Sequence, residues 1–259
     1  MEVTNRLHCN PMINTTHPIL LTGMNGTVAP AVAEELQRRG HGVIAWNREQ
    51  LPPEDLTGAR TFIARTRPSA IVHCAMGDPD WGAGMAQACA EIGCVFLFTG
   101  SASVYGKHQT GPFKINRVPE PDDSYGRYKL DCERRILAAN PQAHIVRLGW
   151  QIALRSGGNQ MVDFLQRAQK EQGHIDASTV WFPACSFLSD TARVLADVLE
   201  RFTPGTYLLD GNPGLSFLQI AMALRSRLNA DWDIRPTTAF VYNNMMRDDR
   251  LPKVSLRLD

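Results

Sequence analysis

Short apolar runs alternate along the first half of the chain with longer segments in which apolar residues recur at helical spacing. Buried strands are predicted at residues 19–21, 43–45, 70–73 and 95–98, and helices at residues 28–39, 57–67 and 84–92. Nearly continuous apolar strands separated by helices are typical of a parallel sheet that is covered on both faces. The pattern therefore predicts an α/β fold built on a doubly wound parallel sheet.

The second half of the chain has a looser pattern. A helix at residues 125–139 and a strand at residues 144–148 are followed by a loop-like stretch at residues 150–160. Helical spacing returns at residues 161–173, 191–201 and 216–229, and residues 204–214 predict a strand that ends in a turn. We expect residues 18–150 to form the first domain. Residues 151–259 should mainly form a small C-terminal lobe, with some segments returning to the first domain.

Composition narrows the class of protein. The chain of 259 residues is 44% apolar and 20% charged, with a formal net charge of +1, so it has no electrostatic reason to bind nucleic acid or an acidic membrane surface. It has no apolar run of 18 residues that would predict a membrane span, and residues 1–17 are expected to be an N-terminal extension rather than a signal peptide. The six cysteines have no metal-binding spacing, so we expect no metal site, reduced thiols and a cytoplasmic protein.

The sequence TGMNGTVAP follows the first predicted strand and opens the first predicted helix. Gly23 and Gly26 would let the chain turn tightly and bring the backbone N–H groups of this loop, which includes Asn25 and Thr27, against a pyrophosphate. Ala29 stands where a third glycine would complete the pattern, and its small side chain still permits close packing of helix on strand. The loop favours a dinucleotide site, although two glycines alone also suit an ordinary turn.

The end of the second predicted strand bears on the choice between NAD and NADP. An NAD-selective protein would place Asp or Glu there, but this chain has Asn47 followed by Arg48, and Arg38 and Arg39 end the preceding helix. Neutral and basic side chains favour binding of a 2′-phosphate. We therefore expect NADP rather than NAD, with a solvated cluster of surface charges as the alternative interpretation.

Three residues predict a catalytic set for carbonyl reduction. Tyr125 and Lys129 are four residues apart on a predicted helix and share a face. An ammonium beside a phenol favours the phenolate, so Lys129 should lower the pKa of Tyr125 toward the working range, and Tyr125 could then pass a proton to a substrate carbonyl oxygen. Ser101, directly after the strand that ends in FLFTG, is placed to hydrogen-bond the same oxygen.

Four stretches occur in an order and at distances that match a known superfamily: LLTGMNGTVAPAVAEELQRRGHGVIAW, DLTGARTFIARTRPSAIVHCAM, FLFTGSASVYG and DDSYGRYKLDCERRIL. From about residue 18 to residue 225 the chain resembles the extended short-chain dehydrogenase/reductases, and is most similar to their dTDP-4-dehydrorhamnose reductase-like branch. The resemblance implies a Rossmann domain that binds NADP and a C-terminal lobe that binds substrate. It also implies hydride transfer to a carbonyl of a nucleotide-linked keto-sugar, with the same three catalytic residues, and a possible homodimer.

The resemblance implies further contacts to the cofactor. Asp55 and Leu56 match the pair that flanks adenine, and Cys74 and Ala75 match the strand end that runs under the cofactor ribose. Leu148 matches the turn after the next strand, near the nicotinamide.

Other functions of the superfamily serve as alternatives. Dehydratases carry an acidic pair after the catalytic serine or threonine, and Ala102 and Ser103 stand there instead, so elimination of water is disfavoured. A 4-epimerase would recycle a tightly held NAD, which Asn47 and Arg48 disfavour. A regulatory subunit that binds NADP without turnover, like the β subunit of methionine adenosyltransferase, is the third alternative, and the intact catalytic set argues against it. The sequence does not name the substrate or the stereochemistry.

Overall fold

The computed structural model describes residue 13, residues 15–154 and residues 157–258, so nearly all of the predicted N-terminal extension lies outside the described residues. The described strands are β1 (Ile19–Thr22), β2 (Val43–Ala45), β3 (Ala70–His73), β4 (Val95–Ser101), β5 (His144–Leu148), β6 (Trp150–Ile152), β7 (Ile175–Ser178), β8 (Trp181–Phe182), β9 (Cys185–Phe187), β10 (Gly205–Leu209), β11 (Ile234–Thr237) and β12 (Tyr242–Asn243). The described helices are α1 (Val28–Arg38), α2 (Leu56–Thr66), α3 (Pro79–Ile92), α4 (Ser124–Ala139), α5 (Met161–Gln172), α6 (Leu188–Arg201) and α7 (Phe217–Leu228).

The central sheet has the strand order β10-β5-β4-β3-β1-β2, and every pairing in it is parallel. This confirms the predicted doubly wound, Rossmann-like sheet. From β1 the chain first adds β2 on one side and then crosses to β3 on the other side. The connections that leave β1 and β3 therefore diverge, and such a switch point opens a crevice at the carboxyl ends of the two strands.

Helices cover both faces of this sheet. On one face α1 and α6 pack over strand residues that include Leu21, Val72 and Leu97. On the other face α2, α3 and α4 pack over the alternate strand residues, among them Ile71 and Phe96. Because both faces are buried at the centre of the sheet, successive positions of strands such as β1 and β3 are mainly apolar, which explains the apolar runs in the sequence.

The predicted strands at residues 43–45, 70–73 and 144–148 are confirmed, and β1 and β4 extend one and three residues beyond the predictions. Helix α3 begins at Pro79, five residues before the predicted start at residue 84. The reason is local, because Asp78 caps the helix by accepting a hydrogen bond from the backbone N–H of Asp80, and proline is well tolerated in a first turn.

The C-terminal part of the chain contributes to two layers. Strand β10 completes the central sheet, and α6 packs on α1. Helices α5 and α7 enclose a separate apolar cluster with the short strand pairs β6–β9 and β7–β11, and β8 pairs with β12. The predicted loop at residues 150–160 is wrong at its start, because residues 150–152 form β6. That strand pairs with β9, a partner 35 residues along the chain that local pattern does not indicate. The domain boundary at residue 150 stays a prediction.

The expectation of reduced cysteines is also wrong for one pair. Cys89 near the end of α3 and Cys94 just before β4 are joined by a disulfide, because the tight turn between these elements places their Cα atoms 4.9 Å apart. Cys74, Cys132 and Cys185 are free. Among the described residues, no cluster of three His, Cys, Asp or Glu side chains is placed to hold a metal ion. In the same part of the chain, no helix is long and apolar enough to cross a membrane.

Candidate active site

The first turn of α4 is held against the end of β4. Asp123 caps the helix, since its Oδ1 accepts a hydrogen bond from the Gly126 N–H at 2.6 Å. Gly126 lies so close to the short turn after β4 that a Cβ there would be 2.1 Å from the carbonyl oxygen of Ser103. The absence of a side chain at residue 126 therefore lets Tyr125 approach Ser101.

Ser101, Tyr125 and Lys129 line one cleft of about 550 Å³ at the carboxyl end of the sheet. The Ser101 hydroxyl donates to Ser103 Oγ and accepts from the Ser103 N–H, both at 3.1 Å. The Tyr125 side chain lies close to this hydroxyl and remains 41% exposed. The structure thus brings the predicted catalytic residues together.

The environment of Lys129 differs from the one that the spacing predicts. Lys129 is 4% exposed, and its Nζ donates to the Thr99 carbonyl at 2.9 Å while lying 4.6 Å from the centroid of the Phe98 ring. Its Nζ is 5.9 Å from the centroid of the Tyr125 ring. Burial lowers the pKa of Lys129, and the neighbouring Cys132, Cys74 and Glu133 raise it.

The expected lowering of the Tyr125 pKa by Lys129 is wrong for this structure. Burial of the phenol raises the pKa of Tyr125, and the hydrogen bond with Ser101 lowers it only in part. The negative charge of Asp123 acts in the raising direction. The physical reason is that the Lys129 ammonium is directed to the Thr99 carbonyl rather than to the phenol oxygen.

The glycine loop forms another wall of the same cleft. Gly23 has a φ of +86°, and a Cβ there would lie 3.0 Å from both the Ala75 nitrogen and the Cys74 carbonyl carbon. Glycine is thus required both by the backbone conformation and by the close approach of β1 to the end of β3. The Gly26 N–H donates to the Gly23 carbonyl at 2.8 Å, which closes the turn, and Gly26 and Thr27 line the cleft. Asn25 is exposed at the tip of this loop.

The end of β3 meets the glycine loop at the switch point. The backbone N–H groups of Cys74 and Ala75 both donate to the Thr22 hydroxyl at 3.2 Å. Cys74 lines the cleft, and burial raises the pKa of its thiol to about 12, so the thiol stays neutral. Leu148 borders the cleft from the end of β5. His73 is buried with its pKa lowered to about 3, which leaves it without a charge to exchange at neutral pH.

The residues predicted for the adenosine end lie outside the lining of this cleft. Arg48 reaches its edge, because its guanidinium donates to the carbonyl of Met76, a cleft residue, and lies 4.8 Å from the centroid of the Trp81 ring. Asn47 is engaged in its own loop, since its Oδ1 accepts from the Glu49 N–H at 2.9 Å. Of Asn47 and Arg48, Arg48 is therefore the one whose positive charge can bind an anionic group of a ligand.

Asp55 and Leu56 occupy the start of α2. The Asp55 carboxylate caps this helix by accepting from the Gly58 N–H at 2.8 Å. Leu56 is exposed, and its Cδ2 would be 3.5 Å from a Cβ at Gly84 of α3. The structure thus gives Asp55 a capping contact and does not bring either side chain into the cleft.

The two arginines that end α1 form ion pairs. Arg39 donates to Glu35 on its own helix and to Asp197 and Glu200 on α6, each at 2.8 Å. Arg38 forms an exposed pair with Glu35. In this structure both guanidinium groups are paired with carboxylates of α1 or α6, and their expected part in binding a 2′-phosphate stays a prediction.

Several cleft residues carry no signal in the sequence. Gln151, Asn159 and Asn244 line the cleft together with Trp150 and Trp181. Trp150 and Trp181 stack with their ring centroids 5.9 Å apart. The Asn159 N–H donates to the Thr27 hydroxyl at 2.9 Å across 132 residues of sequence. Such long-range contacts leave no local pattern that could have identified these residues.

Comparison with known proteins places the chain in a family. Residues 17–78 and 81–253 match the model of the RmlD substrate binding domain. The chain belongs to this RmlD family. This confirms its resemblance to the reductase-like branch of the extended short-chain dehydrogenase/reductases.

The individual proteins to which this chain is similar share about a quarter of its residues or fewer. It is 26% identical over 216 residues to dTDP-4-dehydrorhamnose reductase of Mycolicibacterium smegmatis, and the match covers 76% of this chain and 65% of that protein. It is 23% identical over 253 residues to methionine adenosyltransferase 2 subunit beta of Xenopus laevis, a match of 85% and 75% of the two chains. The crystal structure of dTDP-4-dehydrorhamnose reductase from Bacillus anthracis in complex with NADP shares the fold, with a TM-score of 0.75, 19% identity, and coverage of 86% and 84%.

Proposed function

We propose that this protein is an NADP-dependent reductase that transfers a hydride to a carbonyl of a nucleotide-linked keto-sugar, the kind of reaction that the names of its relatives describe. The observation that carries the proposal is the convergence of Ser101, Tyr125 and Lys129 on the same cleft as the loop at Gly23. A proton donor, an oxygen-binding hydroxyl and a glycine-lined dinucleotide loop are the parts that carbonyl reduction needs.

The cleft fits a dinucleotide. Gly23 lets the glycine loop lie directly against the backbone of Cys74 and Ala75, so the loop and the end of β3 form one continuous wall of the cleft. Residues proposed to hold the cofactor are Gly23, Asn25, Gly26 and Thr27 at the pyrophosphate, Asn47 and Arg48 at the 2′-phosphate, Asp55 and Leu56 beside adenine, Cys74 and Ala75 under a ribose, and Leu148 near the nicotinamide. When bound, NADPH supplies the hydride. The NADP complex of the Bacillus anthracis structure supports this choice of cofactor.

Residues of this chain donate the proton that the substrate carbonyl oxygen receives. Ser101 turns its hydroxyl from Ser103 toward the substrate carbonyl oxygen and fixes the position of that oxygen. Tyr125 donates its phenolic proton to the same oxygen as negative charge develops there. Burial raises the pKa of Tyr125, so the phenol is protonated at neutral pH and has a proton to donate. The buried ammonium of Lys129 then stabilises the phenolate that is left behind.

Stacked aromatic rings border the substrate side of the cleft. Trp150 and Trp181 line it, and Trp181 also packs edge-on against Phe240 with ring centroids 5.0 Å apart. Flat apolar faces of this kind bind sugar and base rings well. The nucleotide-sugar class of the substrate therefore agrees with the chemistry of the wall.

The other parts of the proposal concern cellular location, binding partners and oligomeric state. We propose a cytoplasmic enzyme that acts on a small molecule rather than on nucleic acid or membrane. Disulfides are rare in a strongly reducing compartment, so the disulfide between Cys89 and Cys94 bears on the proposed location. A thiol count on protein purified without reductant tests whether this disulfide is present. A homodimer stays a prediction.

The test combines binding and turnover. Nicotinamide fluorescence should show tight binding of NADPH and weaker binding of NADH, and dTDP-4-dehydrorhamnose and related keto-sugar nucleotides should then oxidise NADPH, followed by its absorbance. Tyr125→Phe should keep NADPH binding and lose turnover by a factor of about 100 or more. Tyr207→Phe, a change in a remote phenol that hydrogen-bonds the Thr203 carbonyl, is the matched control.

Tight NADPH binding with no turnover of any keto-sugar would contradict the proposal. That result would favour the regulatory-subunit alternative, whereas NAD binding with interconversion of sugar epimers would favour the epimerase.

A further inference from the structure

Helix α4 carries a third polar residue on the face that holds Tyr125 and Lys129. Glu133 follows Lys129 by four residues and is 2% exposed. Its carboxylate is paired with Arg147 of β5, which is 7% exposed, and the shortest contact is 2.7 Å from Arg147 Nη2. Arg147 Nε donates to the same carboxylate at 3.1 Å. Burying two charges costs free energy even when they are paired, so the pair is not explained by stability alone.

The ion pair lies directly against the strand that ends in the catalytic serine. Gly100 precedes Ser101 and is the sheet neighbour of Arg147. A Cβ at Gly100 would lie 2.5 Å from Glu133 Oε1 and 3.2 Å from Arg147 Cγ. Glycine at this position therefore lets the carboxylate of Glu133 reach the edge between β4 and β5.

Successive residues of β4 thus each meet the same face of α4. Thr99 accepts from Lys129 Nζ, and Ser101 lies beside Tyr125 in the cleft. Gly100, between them, contacts the carboxylate of Glu133. A shift of α4 along its axis would break all three contacts at once.

Arg147 extends this contact to the turn after β4. Its Nη1 donates to the Tyr105 hydroxyl at 2.8 Å, and the backbone carbonyl of Tyr105 accepts from the Tyr242 hydroxyl at 2.6 Å. Leu148, which borders the cleft, directly follows Arg147. The pair therefore joins the catalytic helix, the serine strand and the strand proposed to lie near the nicotinamide.

We propose that Glu133 and Arg147 are positioning residues of the reductase site. Their ion pair fixes the position of α4 along its axis relative to β4, so that Tyr125 and Lys129 lie beside Ser101. The inference rests on the proposed reductase function and goes beyond it by assigning a role to two residues that do not touch substrate.

Glu133 also supplies negative charge close to the ammonium of Lys129. The groups that act on this ammonium, or are acted on by it, are Tyr125, Cys132 and Glu133 on α4, His73 and Cys74 at the end of β3, and the Thr99 carbonyl and Phe98 ring on β4. The carboxylate of Glu133 raises the pKa of Lys129 against the effect of burial. Without that charge, Lys129 should lose its proton at a lower pH.

The first variant is Glu133→Gln, which keeps the side-chain shape and removes the charge. We expect kcat to fall about 10- to 100-fold, as for a small misplacement of catalytic groups, with the Kd for NADPH changed less than about threefold. The alkaline limb of the pH profile of kcat should move to lower pH. Asp131→Asn is the matched control, because Asp131 lies on the same helix and forms an exposed pair with Arg135.

A double variant guards against misfolding. Glu133→Gln leaves the guanidinium of Arg147 buried without its partner, which can destabilise the fold, whereas Glu133→Leu with Arg147→Met replaces both charges by apolar groups. The folded double variant should show the same loss of kcat. Wild-type kcat and an unchanged pH profile in either folded variant would overturn the proposal. Failure of both variants to fold would assign the pair to folding and would overturn it as well.

A direct readout separates this inference from the proposed function. The ¹³Cε resonance of Lys129 in lysine-labelled protein reports the titration of its ammonium without any substrate. A titration that moves to lower pH in Glu133→Gln but not in Asp131→Asn supports the role of Glu133, even if the wild-type protein turns over no keto-sugar. An unmoved titration together with a kcat of Glu133→Gln equal to that of Asp131→Asn overturns it.

Discussion

Gly23→Ala tests whether the switch point is built as described. The substitution adds one methyl group at a residue with a φ of +86°, where the nearest atoms to a Cβ are the Cys74 carbonyl carbon and the Ala75 nitrogen, both at 3.0 Å. All of the nearest atoms belong to the backbone of the segment after β3, so no flexible side chain can move aside. Accommodating the methyl group requires β1 and the end of β3 to separate.

Two physical terms set the magnitude. A non-glycine residue in the left-handed region costs about 1–2 kcal/mol, and overpacking in a closely packed region costs about 1–3 kcal/mol. Together they predict that Gly23→Ala lowers the free energy of unfolding by about 2–5 kcal/mol. Gly173→Ala is the matched control, because Gly173 has a φ of +75° but no atom within 4 Å of its Cβ position. Gly173→Ala should therefore lower the free energy of unfolding only by the cost of the left-handed backbone conformation.

Urea unfolding followed by tryptophan fluorescence measures both variants, and NADPH titration measures the site. We expect Gly23→Ala to unfold at a lower urea concentration than Gly173→Ala, with a difference of about 1–3 kcal/mol that isolates the contact with the end of β3. It should also bind NADPH at least about tenfold more weakly, whereas Gly173→Ala should bind as the wild type does. Equal stability and equal NADPH affinity in the two variants would refute the reasoning.

Three further predictions concern charged side chains. Arg48→Ala should weaken NADPH binding about tenfold or more and NADH binding less than about twofold in parallel fluorescence titrations; equal losses would contradict a role at the 2′-phosphate. Arg39→Ala should lower the free energy of unfolding by about 2 kcal/mol, because it leaves carboxylates between α1 and α6 without their partner, while Arg38→Ala, which removes an exposed pair, should leave the urea midpoint nearly unchanged; equal urea midpoints would contradict the ranking. Burial raises the pKa of Asp210 to about 6, so the folded state binds more protons than the unfolded state between about pH 4 and pH 6. Wild-type stability should therefore fall as pH rises through this window, and Asp210→Asn should flatten that slope in urea titrations at several pH values; parallel profiles would contradict it.

The sheet could be predicted from sequence because its signal is local. Strands buried on both faces must be apolar at successive positions, and this requirement is visible wherever the chain forms a central strand such as β3 or β5. The short strands of the C-terminal part differ, because β6 and β8 contain three and two residues and exist only through distant partners. The early start of α3 was available in principle, since the Asp-Pro dipeptide at residues 78–79 is a common helix start.

The arginines show why the adenosine end was harder to predict than the catalytic set. Arg39 and Arg48 are both basic residues near the first two strands, and the sequence offers no means to separate them. The structure separates them by their partners, because Asp197 and Glu200, more than 150 residues away, take the charge of Arg39. In the part of the chain that the structure describes, Arg48 contacts the Met76 carbonyl and the Trp81 ring, and no carboxylate pairs with its charge. Which cation serves a ligand is therefore a property of the fold.

The same distinction applies to proton transfer. A spacing of four residues predicts that Tyr125 and Lys129 share a helix face, and they do. It does not predict the direction of the pKa shift, which depends on the burial of the phenol and on the acceptor that the ammonium takes. Because the Lys129 ammonium is held by the Thr99 carbonyl and the Tyr125 phenol is partly desolvated, the phenol keeps its proton until a substrate oxygen develops negative charge. The phenol of Tyr125 is therefore still protonated when the substrate oxygen becomes an alkoxide. Protonation of that alkoxide is the step that carbonyl reduction requires.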